Sequence, residues 1–170
     1  MDWAAVSLLI LDVDGVLTDG SLTASGASES KAFHVQDGHA IKMWQQTGGK
    51  VALLSGRQSP DAIRRAGELG IKLVRLGQND KLTAYEALVR SAECSDAAVA
   101  YVGDDLPDLG PMQRCGLPVA VENAVGEVKR AATYVTRRAG GRGAVSETIE
   151  LILRKQRRWQ PKPAGPGSNR

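Results

Sequence analysis

The sequence predicts an α/β protein built on a doubly wound, Rossmann-like parallel sheet. Three observations lead there. Strand-like and helix-like segments alternate along the 170 residues, the pattern of a parallel sheet with helices on its faces. The strand-like runs at 8–11, 51–54 and 97–102 are almost continuously apolar, as strands buried on both faces are. They end in chemically loaded turns, Asp12/Asp14, Ser55-Gly56-Arg57 and Asp104-Asp105, at the strand ends where open α/β sheets hold their ligands.

The elements follow in order. The first strand runs into Asp12-Val13-Asp14-Gly15. Residues 18–31, rich in Gly, Ser and Thr, form a loop or a small hairpin flap. Residues 37–47 read as a helix with Ile41 and Trp44 on one side, stopped by Gly48-Gly49. After the strand at 51–54, Ser59 and Pro60 are an N-cap and first-turn pair. Their helix runs to about Leu69, with Gly70 as its stop. A strand at 71–76, a helix at 81–90, the strand at 97–102 and a short helix within 106–115 come next. Short strands at 117–121 and 133–135 surround a helix at 125–131, and a last helix spans 144–158. Residues 160–170 hold three prolines and two glycines and read as a disordered tail. Residues 1–159 are expected to be one domain, a length that buries a sizeable core.

Composition excludes several classes. Charged residues make up 24% and apolar residues 42%, ordinary values for a globular domain. No run is long enough for a transmembrane helix, and no secretory pattern precedes the first strand. Cys94 and Cys115 are too few for a disulfide framework or a zinc quartet. The expectation is a cytoplasmic protein without a membrane partner. The net charge of +3 is concentrated at the C-terminus in Arg154, Lys155, Arg157, Arg158, Lys162 and Arg170. That run suits an anionic surface or nucleic acid. A solvated helix end is the plainer reading and the one adopted, so no nucleic-acid partner is expected.

The strand ends carry the chemistry. Asp12 and Asp14 are one residue apart, and side chains two apart on a strand share a face. Carboxylates held close need a metal or a shared proton. A turn is the simpler explanation, since Asp-x-Asp-Gly also suits turns and calcium loops. With Asp104, and with only two histidines in the chain, the donors suit a hard cation such as Mg2+. A cation, Lys81 and the Ser55 hydroxyl together suit a phosphate, and so phosphoryl transfer. Ser55 alone could cap a turn, and Lys81 could be a surface lysine. A cation at a helix start opposes the helix dipole, however, which asks for an anion nearby.

Asp12-Val13-Asp14-Gly15-Val16, Ser55, Lys81 and Gly103-Asp104-Asp105-Leu106-Pro107-Asp108 resemble, in order, the four motifs of the haloacid-dehalogenase-like phosphotransferases. The resemblance implies that Asp12 is the nucleophile, Asp14 the general acid and base, Ser55 a phosphoryl donor and Lys81 a charge neutraliser. It implies Mg2+ held by Asp12, the Asp14 carbonyl and Asp104, with Asp105 or Asp108 in support. Both of those acids would also serve at a helix N-terminus. The intervals between motifs are too short for a cap domain.

A narrower resemblance covers residues 8–153. Asp12 to Gly20, Lys31 to Gly38, Ser55-Gly56-Arg57, Tyr101 to Asp108, and Tyr134 through Val145 are similar to the 3-deoxy-D-manno-octulosonate 8-phosphate phosphatases. It implies a capless, homotetrameric enzyme of lipopolysaccharide sugar synthesis. The flap would join an intersubunit barrel, and a neighbour's C-terminal segment would help close the site. By position, His34, Lys42, Arg57 and Arg65 would bind the sugar acid phosphate. Surface charge is the alternative for the three cations, and packing for His34. Where that family usually has Arg-Asp-Gly-Tyr/Leu-Gly-Ile, this chain has Gln36-Asp37-Gly38-His39-Ala40-Ile41. A nine-carbon keto-sugar acid 9-phosphate therefore stays open as the substrate. A non-catalytic regulatory or anion-binding protein is the alternative of another class.

Overall fold

A computed structural model of the chain describes residues 3–25 and 28–160. Its strands in chain order are β1 (Leu8–Leu11), β2 (Thr23–Ser25), β3 (Ser28–Ser30), β4 (Lys50–Leu54), β5 (Leu73–Arg75), β6 (Val99–Gly103), β7 (Leu117–Ala120) and β8 (Tyr134–Val135). Its helices are α1 (Val35–Gln46), α2 (Pro60–Leu69), α3 (Lys81–Ser91), α4 (Leu109–Arg114), α5 (Gly126–Ala131) and α6 (Ala144–Lys155).

Six strands form one parallel sheet in the order β5-β4-β1-β6-β7-β8. Counted along the chain this is 3-2-1-4-5-6, the doubly wound order, and the chain changes direction between β1 and its neighbours. Leu8, Leu9, Ile10 and Leu11 are fully buried because β1 has a strand on either side and helices above and below. Helix α1 packs against α6 and α2, while α3 packs against α4, and α4 against α5. Right-handed crossovers put these two groups on opposite faces.

The expected helix signals do their work. The Ser59 side chain accepts from the Ala62 N–H, Pro60 opens α2, and Gly70 ends it at φ +69°. Residues 18–31 contain a hairpin, with β2 antiparallel to β3. Some boundaries move. Helix α1 starts two residues early, directly after the extended His34. Residues 96–98 are a 3-10 turn, so β6 begins at Val99. Helix α6 stops at Lys155, because Arg157 sits at φ +57°. Apart from Gln160, the expected tail lies outside the described residues. Of the basic cluster, Arg154 bonds Glu150 at 2.8 Å and lies over the Trp159 ring, and Arg158 donates to the Thr47 carbonyl. These are the ties of a solvated helix end.

Candidate active site

The first strand ends at Leu11, one residue short of Asp12. Asp12 and Asp14 therefore belong to the turn that follows, not to the strand, and they take different partners. Asp12 is 3% exposed and accepts from Lys81 Nζ at 2.6 Å. Lys81 is the first residue of α3. Asp80 caps that helix by accepting from the N–H groups of Leu82 and Thr83, and the lysine side chain is turned back under the sheet edge. Its Nζ also donates to Asp108 at 2.7 Å. Burial works against the ammonium, but Asp12 and Asp108 outweigh it and hold its pKa above the ordinary lysine value.

Asp108 is fully buried and accepts four hydrogen bonds. Lys81 and the Tyr101 hydroxyl reach Oδ1, each at 2.7 Å. The Asp104 and Asp105 N–H groups reach Oδ2 at 2.9 and 3.2 Å. Asp105 is exposed and caps the short turn Leu106–Asp108. Of the two acids that the sequence leaves open, Asp108 is the one beside Asp12.

Asp12, Asp104 and Asp108 each offer a carboxylate oxygen within 4.8 Å of the others. Three carboxylates here face one ammonium, and the imbalance shows at Asp104 and Asp12. Burial first, then Asp108, pushes the Asp104 carboxyl up to about 7. Burial and Asp108 also push Asp12 well above the usual carboxylate range. An all-oxygen, partly buried cluster short of positive charge fits a small hard cation. Gly15 makes room for it. At φ +92°, a Cβ there would lie 2.0 Å from Asp104 Oδ2.

Asp14 stands beside this cluster and is held differently. Its Oδ1 accepts from Lys31 Nζ, on a side chain only 3% exposed. Its Oδ2 is buried with no hydrogen bond among the described residues, 4.0 Å from Arg57 Nε. Ser55 follows β4 and is 2% exposed; its Oγ accepts from the Arg57 N–H at 3.2 Å. The hydroxyl thus shapes its own turn and keeps a proton to donate. Gly140 and Gly141 press on the same loop. A Cβ on Gly140 would fall 1.6 Å from the Gly15 carbonyl oxygen, and the Gly141 N–H bonds the Val16 carbonyl at 2.9 Å.

The expected recognition residues are spread more widely. His34 precedes α1, and its Nδ1 is buried without a hydrogen bond. Lys42 donates to the Glu68 carbonyl at 3.0 Å, and Arg65 pairs with the Glu68 carboxylate at 2.9 Å. Arg65 also lies 5.9 Å over the Phe33 ring and against Gly38, where a Cβ would meet Nη2 at 2.2 Å. The structure thus gathers Asp12, Lys81 and Asp104, with Asp14 and Arg57 alongside, while Lys42 and Arg65 meet at the far end of α2. Gln36 accepts from Arg138 Nη1 at 3.2 Å, which brings a guanidinium beside the position where a charge was missing.

Two participants were not foreseen, Lys31 and Tyr101. Lys31 is 17 residues beyond Asp14, and only the return strand of the hairpin brings it back. Tyr101 sits in an apolar strand and reads as core.

A family model of haloacid dehalogenase-like hydrolases matches residues 71–149. The chain is 44% identical to 3-deoxy-D-manno-octulosonate 8-phosphate phosphatase KdsC of Yersinia pestis over 90% of its own length and 82% of that protein. Identity to the same-named protein of Haemophilus influenzae is also 44%, over 89% and 84%. A crystal structure of the Moraxella catarrhalis phosphatase of that name, in complex with a magnesium ion, a phosphate ion and a KDO molecule, superposes with a TM-score of 0.88. It is 40% identical and covers 91% of this chain and 90% of that one. With this likeness over nearly its whole length, the chain belongs to the 3-deoxy-D-manno-octulosonate 8-phosphate phosphatase family of haloacid dehalogenase-like hydrolases.

Proposed function

We propose that this chain hydrolyses 3-deoxy-D-manno-octulosonate 8-phosphate through a phosphoryl group carried on Asp12. The observation that supports this most is the buried Asp12–Lys81–Asp108 assembly beside Asp104, at the carboxyl edge of the central strands. It positions a nucleophile and stabilises phosphoryl charge, the two demands of this chemistry.

In the first half-reaction an Asp12 oxygen attacks phosphorus and the ester O–P bond breaks. Asp14 gives a proton to the departing sugar oxygen. In the second, water attacks phosphorus, its proton passes to Asp14, and the Asp12–P bond breaks to release inorganic phosphate. Lys81 fixes Asp12 and neutralises charge, and Ser55 donates to a phosphoryl oxygen. Asp12, Asp104 and the Asp14 carbonyl would hold Mg2+, with Asp108 in support. When bound, the ion supplies positive charge to the phosphoryl group and the carboxylates around it.

His34, Arg57, Lys42 and Arg65 are assigned to the sugar acid, whose carboxylate and phosphate both pair with cations. Residues 1–159 act as one catalytic domain within a homotetramer in the cytoplasm. Free thiols at Cys94 and Cys115 suit a reducing compartment. Val35 and Leu22, 80% and 54% exposed, flank the hairpin and offer apolar surface to a neighbour. The nine-carbon acid stays as a second reading because His39 and Ala40, within α1, depart from the residues that the family usually has there. The test is phosphate release, with and without magnesium, across eight- and nine-carbon keto-sugar acid phosphates. Selective, magnesium-dependent turnover of the eight-carbon ester is expected. Preference for the nine-carbon ester would move the substrate and keep the mechanism, and no turnover of any ester would overturn the proposal.

A further inference from the structure

We propose that Lys31 is a positioning residue that holds Asp14 for proton transfer and links that hold to the seating of the hairpin. The inference rests on the acid–base reading of Asp14.

Lys31 directly follows β3, so it belongs to the hairpin and not to the sheet that carries the other site residues. It is fastened at both ends. Its N–H donates to Asp61 Oδ2 at 2.8 Å, in the first turn of α2. Its side chain, 3% exposed, ends on Asp14 Oδ1. A lysine gives up several rotatable bonds and most of its hydration to be buried this way, which is unfavourable without a charged partner. Asp14 is that partner.

The arrangement also sorts the two oxygens of Asp14. Oδ1 is engaged by Lys31, while Oδ2 is buried and makes no hydrogen bond. A carboxylate pinned through one oxygen presents the other in a fixed direction. That other oxygen is the one that gives a proton to the leaving group and takes one from water. Lys31 bonds Oδ1 and not Oδ2, so it acts through Asp14. Because Asp61 tethers its backbone, a shift of the hairpin moves the ammonium and loosens Asp14 with it.

Leaving-group dependence separates this role from a merely structural one. A sugar phosphate needs a protonated leaving oxygen, whereas nitrophenyl phosphate departs without one, and kcat/KM reports steps through departure. Lys31→Met is expected to lower kcat/KM for the sugar phosphate by about 100-fold, at the low end of acid–base contributions, and for the aryl ester by less than about 5-fold. Lys31→Arg keeps a cation there and recovers most of the loss on the sugar phosphate. Equal losses on both esters, or none on either, would overturn the proposal. Should Lys31→Met fail to fold, Asp61→Ala cuts the tether together with the surface pair to Arg64 and carries the same test, with a selective loss of about 5-fold expected. Asp14→Asn, measured in parallel, tells the two readings apart. If it lowers both esters equally, the acid–base reading falls and this inference with it. If it is selective and Lys31→Met is not, only the inference falls.

Discussion

The carboxyl edge of the central strands and the rim along α1 and α2 are built to different standards. At the edge, Asp12, Lys81 and Asp108 are each less than a tenth exposed and joined by bonds of 2.6 and 2.7 Å. At the rim, Arg57 is half exposed, and Lys42 and Arg65 spend their hydrogen bonds on Glu68. The edge draws on three separate crossovers, and each side chain is fixed by the packing of its own element. The rim draws on helix surfaces and loops. On the proposed mechanism the chemistry is complete within one chain, while recognition is only sketched there.

If that division is right, substitutions at the edge should remove turnover and leave the fold intact. Asp12→Asn is expected to lower kcat by about 10⁴-fold or more, the scale on which a lost nucleophile is felt. Its melting temperature should not fall, because the carboxylate it replaces is strained by burial and by Asp108. Circular dichroism beside phosphate release checks both, and turnover near that of the parent would break the comparison at its strongest point. Lys81→Met should act differently. It strands two buried carboxylates, so stability falls along with activity, by about 3 kcal/mol for a broken buried pair. Urea unfolding in magnesium-free buffer measures that loss.

The same edge sets a pH response. Without metal, the folded Asp104 carboxyl titrates near 7, raised from 3.8 mainly by burial and then by Asp108. The folded state therefore holds a proton that the unfolded chain has released, and its stability falls as pH rises from about 4 to about 7. The melting temperature of the magnesium-free protein should drop from pH 5 to pH 8. Added Mg2+ should restore it, with a larger gain at the higher pH. A magnesium effect independent of pH would place the ion elsewhere.

What was legible in the sequence follows the same line. The sheet, the cap at Ser59 and the placing of the motif residues Asp12, Ser55, Lys81 and Asp104 at strand ends and a helix start could be read because each depends on its own neighbours in the chain. Asp108 could not be told from Asp105, since both fit a helix start and only the fold shows which one faces Lys81. Lys31 was hidden because its partner is supplied by the return of a hairpin. Tyr101 was hidden because one hydroxyl in an apolar strand looks like packing. The Gln36 exchange, read alone, was a lost charge; in three dimensions Arg138 stands beside it. Arg138→Ala should accordingly raise KM for the sugar acid phosphate by about 10-fold, as loss of a charge-assisted hydrogen bond does, with kcat little changed. An unchanged KM would leave the rim without that cation.

The smallest effect is expected at Lys42, and it sharpens the contrast most. In its own chain Lys42 bonds the Glu68 carbonyl near the end of α2, whereas Asp12 sits at the opposite, carboxyl end of the strands, level with the start of that helix. A lysine so placed is of little use to the crevice of its own chain. If it serves substrate at all, it serves the crevice of a neighbour in the assembly. Lys42→Met should then raise KM by about 3-fold, the worth of one exposed cation, under conditions where the protein is oligomeric. Diluted to monomer, parent and variant should have the same KM. A difference that persists in the monomer would mean that the rim is finished within one chain, and the division between edge and rim would be one of exposure alone.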